Sequence, residues 1–381
     1  ILAADGRPRI FYTSIGHPAP EQWMAFPLTD DLIAWEKHPK PALAMAAHNG
    51  ATISEWRDPF LFREAGRTYM VTGGNSGRPG SASVYLYRAS NAELTDWKYL
   101  GPVFEYRNRA IANIECPNLF KLDGRWVLLI SPHKPCEYFI GDLDLARGKF
   151  IPDTHGVLDA GAAYASNISV DAAGRTILWL WGRTATPPGK GWNSVMVMPR
   201  ILSIGPDGFL RQQPAPEFAS LRGPALNSSP LALESTSSVL TAIQGDSLEI
   251  EAELTGNAAA MGFELRRSTS GKAGCVVSLN PRSGALSVGS AQSPLGRHDR
   301  YKLRIFLDKR VIEVYANDGI AAVVSTVDAA PEDLAIAFFA RQGPARLESL
   351  RAWPIRPAQF SLERFQVTAS APIRPNPRRL A

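Results

Sequence analysis

Cysteine is nearly absent from this chain. There are three in 381 residues, Cys116, Cys136 and Cys275, with no CxxC pair and no Cys/His ligand spacing. Neither a disulfide framework nor a zinc site is implied, and no metal or other cofactor is expected. Long apolar runs are missing too: none approaches the roughly 18 residues of a membrane-spanning helix, so no membrane partner is expected. Charge is not concentrated either. The net charge is +5, but Lys and Arg are scattered, and the one local excess is the tail "PIRPNPRRLA". A basic tail of that kind reads as a solvated end, which argues against a nucleic-acid partner. The start, "ILAADGRPRIFYTS", has no initiator Met, no basic n-region and no apolar h-region. It opens as if inside a strand–turn–strand unit.

What is present is a length that suggests two domains, and 30 Pro and 31 Gly spread along the chain. Punctuation that dense favours many short strands over long helices. The stretch "NIECPNLFKLDGRWVLLIS" sets Glu115 just before an apolar run that reads as strand material. A lone acid there is most often a solvated loop residue. Internal periodicity changes that reading.

Four segments share one plan: "DGRPRIFYTSIG", "WRDPFLFREAGRTYMVTGG", "IECPNLFKLDGRWVLLISP" and "YASNISVDAAGRTILWLWG", each followed by further strand-like runs. Gly-Arg at 66–67, 124–125 and 174–175 marks tight hairpins, because Gly supplies the positive φ those turns need. Arg57, Glu115 and Tyr164 recur at an interval of about 50 to 60 residues, the period of four-stranded propeller blades. A sandwich is the alternative for such hairpins, and the repeat favours the propeller. The residues that open the innermost strands converge on one end of a propeller's channel. Asp58 in "RDP" and Glu115 in "ECP" are expected at that shared position, each next to a strand-stiffening proline, Pro59 or Pro117. Two carboxylates from successive blades make a constellation suited to acid catalysis.

From about residue 230 the pattern becomes period-2 alternation, as in "SLEIEAEL" and "YKLRIFLDKRVIEVYANDG", with a hairpin at Asn317-Asp318-Gly319. That reads as an antiparallel β-sandwich with no acid, His or Ser cluster for chemistry. The expected organisation is all-β: a propeller domain over 1–215, a sandwich over 225–356 and a Pro/Arg-rich tail over 357–381.

The motifs "WRDPFLF", "IECPNLFKL", "DAGAAYAS" and "WNSVMVMPR", in that order, resemble the motif series of glycoside hydrolase family 32, the invertases, levanases and inulinases. The stretch "LRIFLDKRVIEVYANDG" resembles that family's sandwich domain. The resemblance implies a five-bladed β-propeller followed by a β-sandwich, and cleavage of sucrose or β-fructans. It implies Glu115 as general acid/base, Asp58 as stabiliser of the transition state, and Arg57 beside them keeping them ionised. Tyr164 and Trp181 would wall the sugar pocket; propeller core is the competing reading for both. One part of the pattern is missing. The family's nucleophile is an Asp in an "NDPNG"-like motif, and no relative of it occurs in these residues. The resemblance thus makes the four segments blades two to five, with most of blade one absent.

A retaining glycosidase needs a nucleophile and an acid about 5 to 5.5 Å apart. Glu115 would be the acid, its pKa raised by burial and neighbouring acids, with Asp58 ionised. Without the nucleophile, the expectation is impaired fructosidase activity. A fructan-binding pseudoenzyme is the alternative, and an arabinan- or xylan-cleaving relative is disfavoured by the order of "RDP", "ECP" and sandwich. The resemblance also points to a secreted or periplasmic protein. Loops 75–82 and 184–192 are expected at the pocket rim. Chain-length preference, linkage and oligomeric state are left open.

Overall fold

The computed structural model describes all residues except 17, 107, 109, 184–188, 190, 192, 360 and 362–381. Most of the expected tail and of the loop 184–192 therefore lies outside the described residues. The described chain divides by spatial contact into two compact units, residues 1–134 with 139–153, and residues 135–138 with 154–358.

The first four sheets follow the repeat. Strands β1 (Ile10–Ser14), β2 (Glu21–Pro27) and β3 (Trp35–Lys37) form a three-stranded sheet. Strands β4 (Ser54–Glu64), β5 (Arg67–Asn75), β6 (Ala82–Ala89) and β7 (Trp97–Glu105) form a four-stranded one in sequence order. Strands β8 (Glu115–Leu122), β9 (Arg125–Ser131), β10 (Cys136–Asp144) and β11 (Lys149–Asp159) repeat that meander. The fourth sheet holds β12 (Ala163–Val170), β13 (Thr176–Gly182), β14 (Val195–Met196), β15 (Arg200–Ile204) and β16 (Leu210–Pro214).

The hairpins close as their turn residues dictate. Ala65-Gly66 and Asp123-Gly124 both take positive φ at two successive residues, the two-residue turn whose twist matches its strands. The third Gly-Arg site departs from expectation. There the connection is a wider loop, in which the Asp171 carboxylate accepts the backbone N–H of Ala173 and Arg175. An Asp able to satisfy two backbone donors stabilises the longer loop in place of the tight turn.

Alternate residues of β5 explain why its sequence is apolar on both sides. Tyr69 and Val71 join a cluster with Leu119, Trp126 and Leu128 of the next sheet, while Met70 joins Trp56, Tyr87 and Leu43 on the opposite face. Both faces of the sheet are buried, so the period-2 polarity of a solvated strand is lost.

The sandwich consists of a seven-stranded and a six-stranded antiparallel sheet between Leu226 and Pro354. Between them lies one continuous apolar cluster that includes Ile250, Phe263, Val277, Ile305 and Phe338. The hairpin at Asn317-Asp318-Gly319 is present, with all three residues at positive φ.

In the second unit the fourth sheet is joined to the sandwich through a buried charge. Arg200 is fully buried; its guanidinium donates to Asp159 Oδ2 at 2.8 Å and to Gln212 Oε1 at 2.9 Å, and stands 3.7 Å from Glu313 Oε2. Asp159 Oδ1 accepts the N–H of Gly161, and Tyr315 donates to Glu313. Burial pushes the carboxyls of Asp159 and Glu313 up, and Arg200 opposes this. Nearby, Gly161 lies so close to Val324 that a Cβ would sit 1.8 Å from its carbonyl oxygen. Removing the arginine strands two carboxylates without their cation. Arg200→Ala is expected to destabilise the second unit by about 3–5 kcal/mol, read by urea unfolding.

Candidate active site

The first strand in sequence of the second, third and fourth sheets carries the same irregularity. In β4, Arg57 pairs with Gly73 and the next register pair is Phe60 with Val71. In β8, Glu115 pairs with Ser131, then Asn118 with Leu129. In β12, Tyr164 pairs with Trp181, then Asn167 with Trp179. Two residues thus oppose one, a β-bulge, and the residue that begins it is left-handed each time: Asp58 (φ 63°), Cys116 (φ 48°) and Ala165 (φ 52°). Pro59 and Pro117 fall inside the bulge, where the ladder asks for no N–H.

This corrects the expected equivalence. Asp58 and Glu115 do not occupy the same place in the repeat: Glu115 matches Arg57 and Tyr164, whereas Asp58 matches Cys116 and Ala165. The one-residue offset reverses the face to which a side chain points in a regular strand, and the bulge is what brings both acids to the same place.

Arg57 connects them. Its guanidinium donates to Glu115 Oε1 and to Glu55, and its Nε lies 3.9 Å from Asp58 Oδ2. Asp58 is fixed at both ends: its N–H donates to Thr13 Oγ1 at 3.0 Å and its Oδ2 accepts the N–H of Cys116 at 2.9 Å. Thr13, on β1, in turn donates to Gln22. On the other side of Glu115, His133 Nε2 stands 3.5 Å from Oε2. Three acids therefore share one arginine. The Asp58 carboxyl lies above the ordinary carboxylate range, because burial and the Glu115 charge outweigh the Cys116 bond and Arg57. Arg57 acts on Asp58 in the expected direction, opposing the upward push of burial without offsetting it. Arg57 itself is held firmly protonated by its bonds to Glu115 and Glu55, against the opposing effect of burial.

Tyr164 and Trp181 lie in the second unit as a directly opposed pair. Tyr164 is buried with the Arg183 guanidinium 4.0 Å from its ring centre, and Trp181 is partly exposed with its indole N–H on Ser194. Thr13, Glu55, Gly73 and His133 were not anticipated. Of these only Gly73 carries a signal, a glycine in a strand interior, which marks close backbone approach. Among the described residues, no three His, Cys, Asp or Glu side chains are grouped as a metal site.

Comparison with known proteins gives the family. The model of the glycosyl hydrolases family 32 N-terminal domain matches residues 1–214, and that of the family 32 C-terminal domain matches 217–354. The chain belongs to glycosyl hydrolase family 32. It is 31% identical to a levanase of Bacillus sp. (strain L7) over 346 residues, 78% of this chain and 36% of that protein. It is 28% identical to a sucrose-6-phosphate hydrolase of Bacillus subtilis, covering 58% of this chain and 50% of that protein. The chain thus spans half or less of the length of these curated relatives. Among solved structures, fructan 1-exohydrolase IIa from Cichorium intybus superposes with a TM-score of 0.81 at 20% identity, covering 94% of this chain and 83% of that one. A sucrose-6-phosphate hydrolase from Lactobacillus gasseri does so at 0.74 and 22% identity, covering 91% and 76%. The fold is the family's β-propeller followed by a β-sandwich.

Gly73 is where the third sheet comes closest to the second. A Cβ there would lie 2.0 Å from Ile114 O and 3.6 Å from the Glu115 Cα. Gly73→Ala is expected to cost about 1–3 kcal/mol by overpacking and to displace Glu115. Gly16→Ala, with nothing within 4 Å, is the neutral control in the same unfolding measurement. Asp58 yields a pH prediction. Its folded pKa is raised above the unfolded value, so its charge opposes folding at neutral pH, and that opposition disappears as pH falls through the folded value to below 3.8. Asp58→Asn should therefore be more stable than the parent at pH 7, with the difference shrinking toward pH 3.5, as read by urea unfolding at both values.

Proposed function

We propose that this protein cleaves fructosyl linkages of sucrose or a β-fructan as a retaining glycoside hydrolase. One observation carries the reading: Arg57 reaches both Glu115 and Asp58, which puts two acids from adjacent sheets within the span of a single sugar ring. The names of the relatives, levanase and sucrose-6-phosphate hydrolase, supply the substrate class.

In this reading Glu115 is the general acid. It donates a proton to the glycosidic oxygen as the bond to the fructosyl carbon breaks, and later takes one from the incoming water. Asp58, tied by the Cys116 N–H and the Thr13 hydroxyl, cannot rotate away, so its carboxylate is pre-aimed at the hydroxyls of the sugar and at the positive charge that develops on its ring. Partial burial lowers the dielectric and strengthens that interaction. Arg57 balances part of the clustered negative charge.

A double displacement also needs a carboxylate nucleophile, and no described residue is assigned that role. That favours a second reading, in which the site binds fructosyl units without turning them over. Reducing-sugar release from sucrose, levan and inulin separates the two. If the first reading holds, the parent chain releases fructose and Glu115→Gln loses about 10²–10⁴-fold of that rate. Fructan binding by calorimetry with no release favours the second, and activity unchanged in Glu115→Gln would remove Glu115 from the chemistry altogether.

A further inference from the structure

We propose that Glu55 is a positioning residue for the proton of Glu115: by holding one arm of the Arg57 guanidinium, it keeps that cation from neutralising Glu115 completely. Glu115 is thereby left able to carry the proton it gives to the leaving oxygen. The proposal rests on the reading of Glu115 as general acid given above.

Strand β4 has a second bulge just before the first. Ser54 pairs with Asn75 and the next register pair is Arg57 with Gly73, so Glu55 and Trp56 oppose Gly74 alone. Glu55 begins this bulge with φ 54°, as Asp58 begins the next with φ 63°. Left-handed backbone is uncommon for a glutamate, and the fold makes room for it. A Cβ on Gly74 would lie 2.8 Å from Ile53 Cγ2 and 3.1 Å from Ser54 O. Trp56 is fully buried, and its indole N–H donates to Thr72 Oγ1 at 2.8 Å, which pins the backbone between Glu55 and Arg57. In β12 the equivalent step, Ala163 to Tyr164, pairs regularly. The second bulge therefore belongs to β4 and not to the repeat, and it carries a third carboxylate to Arg57.

Each nitrogen of Arg57 faces a different acid. Nη1 donates to Glu55 Oε2, Nη2 donates to Glu115 Oε1, and Nε stands 3.9 Å from Asp58 Oδ2. One positive charge is divided among three carboxylates. Glu115 is the least exposed of them and Glu55 the most. Two effects of Glu55 reach Glu115. Its negative charge, across the shared guanidinium, repels a charge on Glu115. An arginine tethered through Nη1 also cannot turn both arms onto Glu115 as a bidentate partner. Both effects favour the protonated carboxyl. Asp58, from the same strand, acts in the same sense, and His133, beyond the end of β9, opposes it when its imidazole is protonated. Glu55 takes no part in the transfer to the glycosidic oxygen; it sets the pH below which Glu115 holds its proton.

The test is the titration of Glu115 in the full chain labelled with carbon-13 at the glutamate carboxyls, its resonance being the one missing from Glu115→Gln. Glu55→Gln should lower the midpoint by about one pH unit, and the alkaline limb of fructose release should move down with it, about a tenfold loss of rate above that limb. Glu55→Asp keeps the charge on a residue better suited to the left-handed backbone, and should restore most of the midpoint. Glu64→Gln removes the same charge at the other end of β4, where it pairs with Lys121, and should leave the midpoint within about 0.2 unit. A midpoint that stays or rises in Glu55→Gln overturns the proposal and leaves the acid role of Glu115 standing. Because the midpoint is read without turnover, it decides the proposal on an inactive chain as well. A midpoint that falls in a chain whose rate is unchanged by Glu115→Gln overturns the acid reading, and with it any service of Glu55 to catalysis.

Discussion

A single left-handed residue at the head of a strand underlies the geometry of this site. At Asp58, and again at Cys116, the backbone takes a conformation that costs an L-residue on the order of 1 kcal/mol. In exchange two residues are fitted opposite one, and the strand rotates before the ladder resumes. That rotation lets Asp58 Oδ2 accept the Cys116 N–H while Arg57, one residue earlier, reaches Glu115. Without the bulge, neighbours in sequence would face opposite sides of the sheet, and the two acids would not meet.

The surroundings make that arrangement rigid at a cost in stability. The bulged strands β4 and β8 are each flanked by a hairpin partner buried on both faces, so the two acids stand on elements that cannot readily adjust. Gly73 completes the fit by having no side chain where the third sheet approaches. Against this stands the crowding of Glu55, Asp58 and Glu115 around one guanidinium, with Asp58 kept charged only against its own burial. That crowding of like charge, costly to stability, is one ground for the proposed function.

The second unit handles charge differently. Arg200, Asp159 and Glu313 are wholly buried and hydrogen-bonded among themselves and to backbone, where a sugar could not reach them. They join the fourth sheet to the sandwich. Position in the fold thus separates two groups of the same residue types, one partly exposed and gathered at Arg57, the other dry and nearly satisfied.

Much of this was legible in the chain. The recurrence of apolar runs with X-Gly turns identified the meander sheets, and alternation with Asn317-Asp318-Gly319 identified the sandwich, because both signals are local and act within a few residues. The order of "RDP" and "ECP" singled out Asp58 and Glu115 together with Arg57. The turn after Val170 was read too tightly, since an Asp that caps two N–H groups competes with glycine on equal terms. What no local pattern carried was the one-residue offset between the acids, the arrival of Thr13 from another sheet, and the placing of His133 over Glu115 Oε2. Those contacts join residues 45 and 58 positions apart, or lie beyond a strand end. Sequence alone determined which residues were chemically able and which strands would hold them. Tertiary structure decided which of them touch, because a bulge and a missing Cβ set angles and distances that periodicity does not encode.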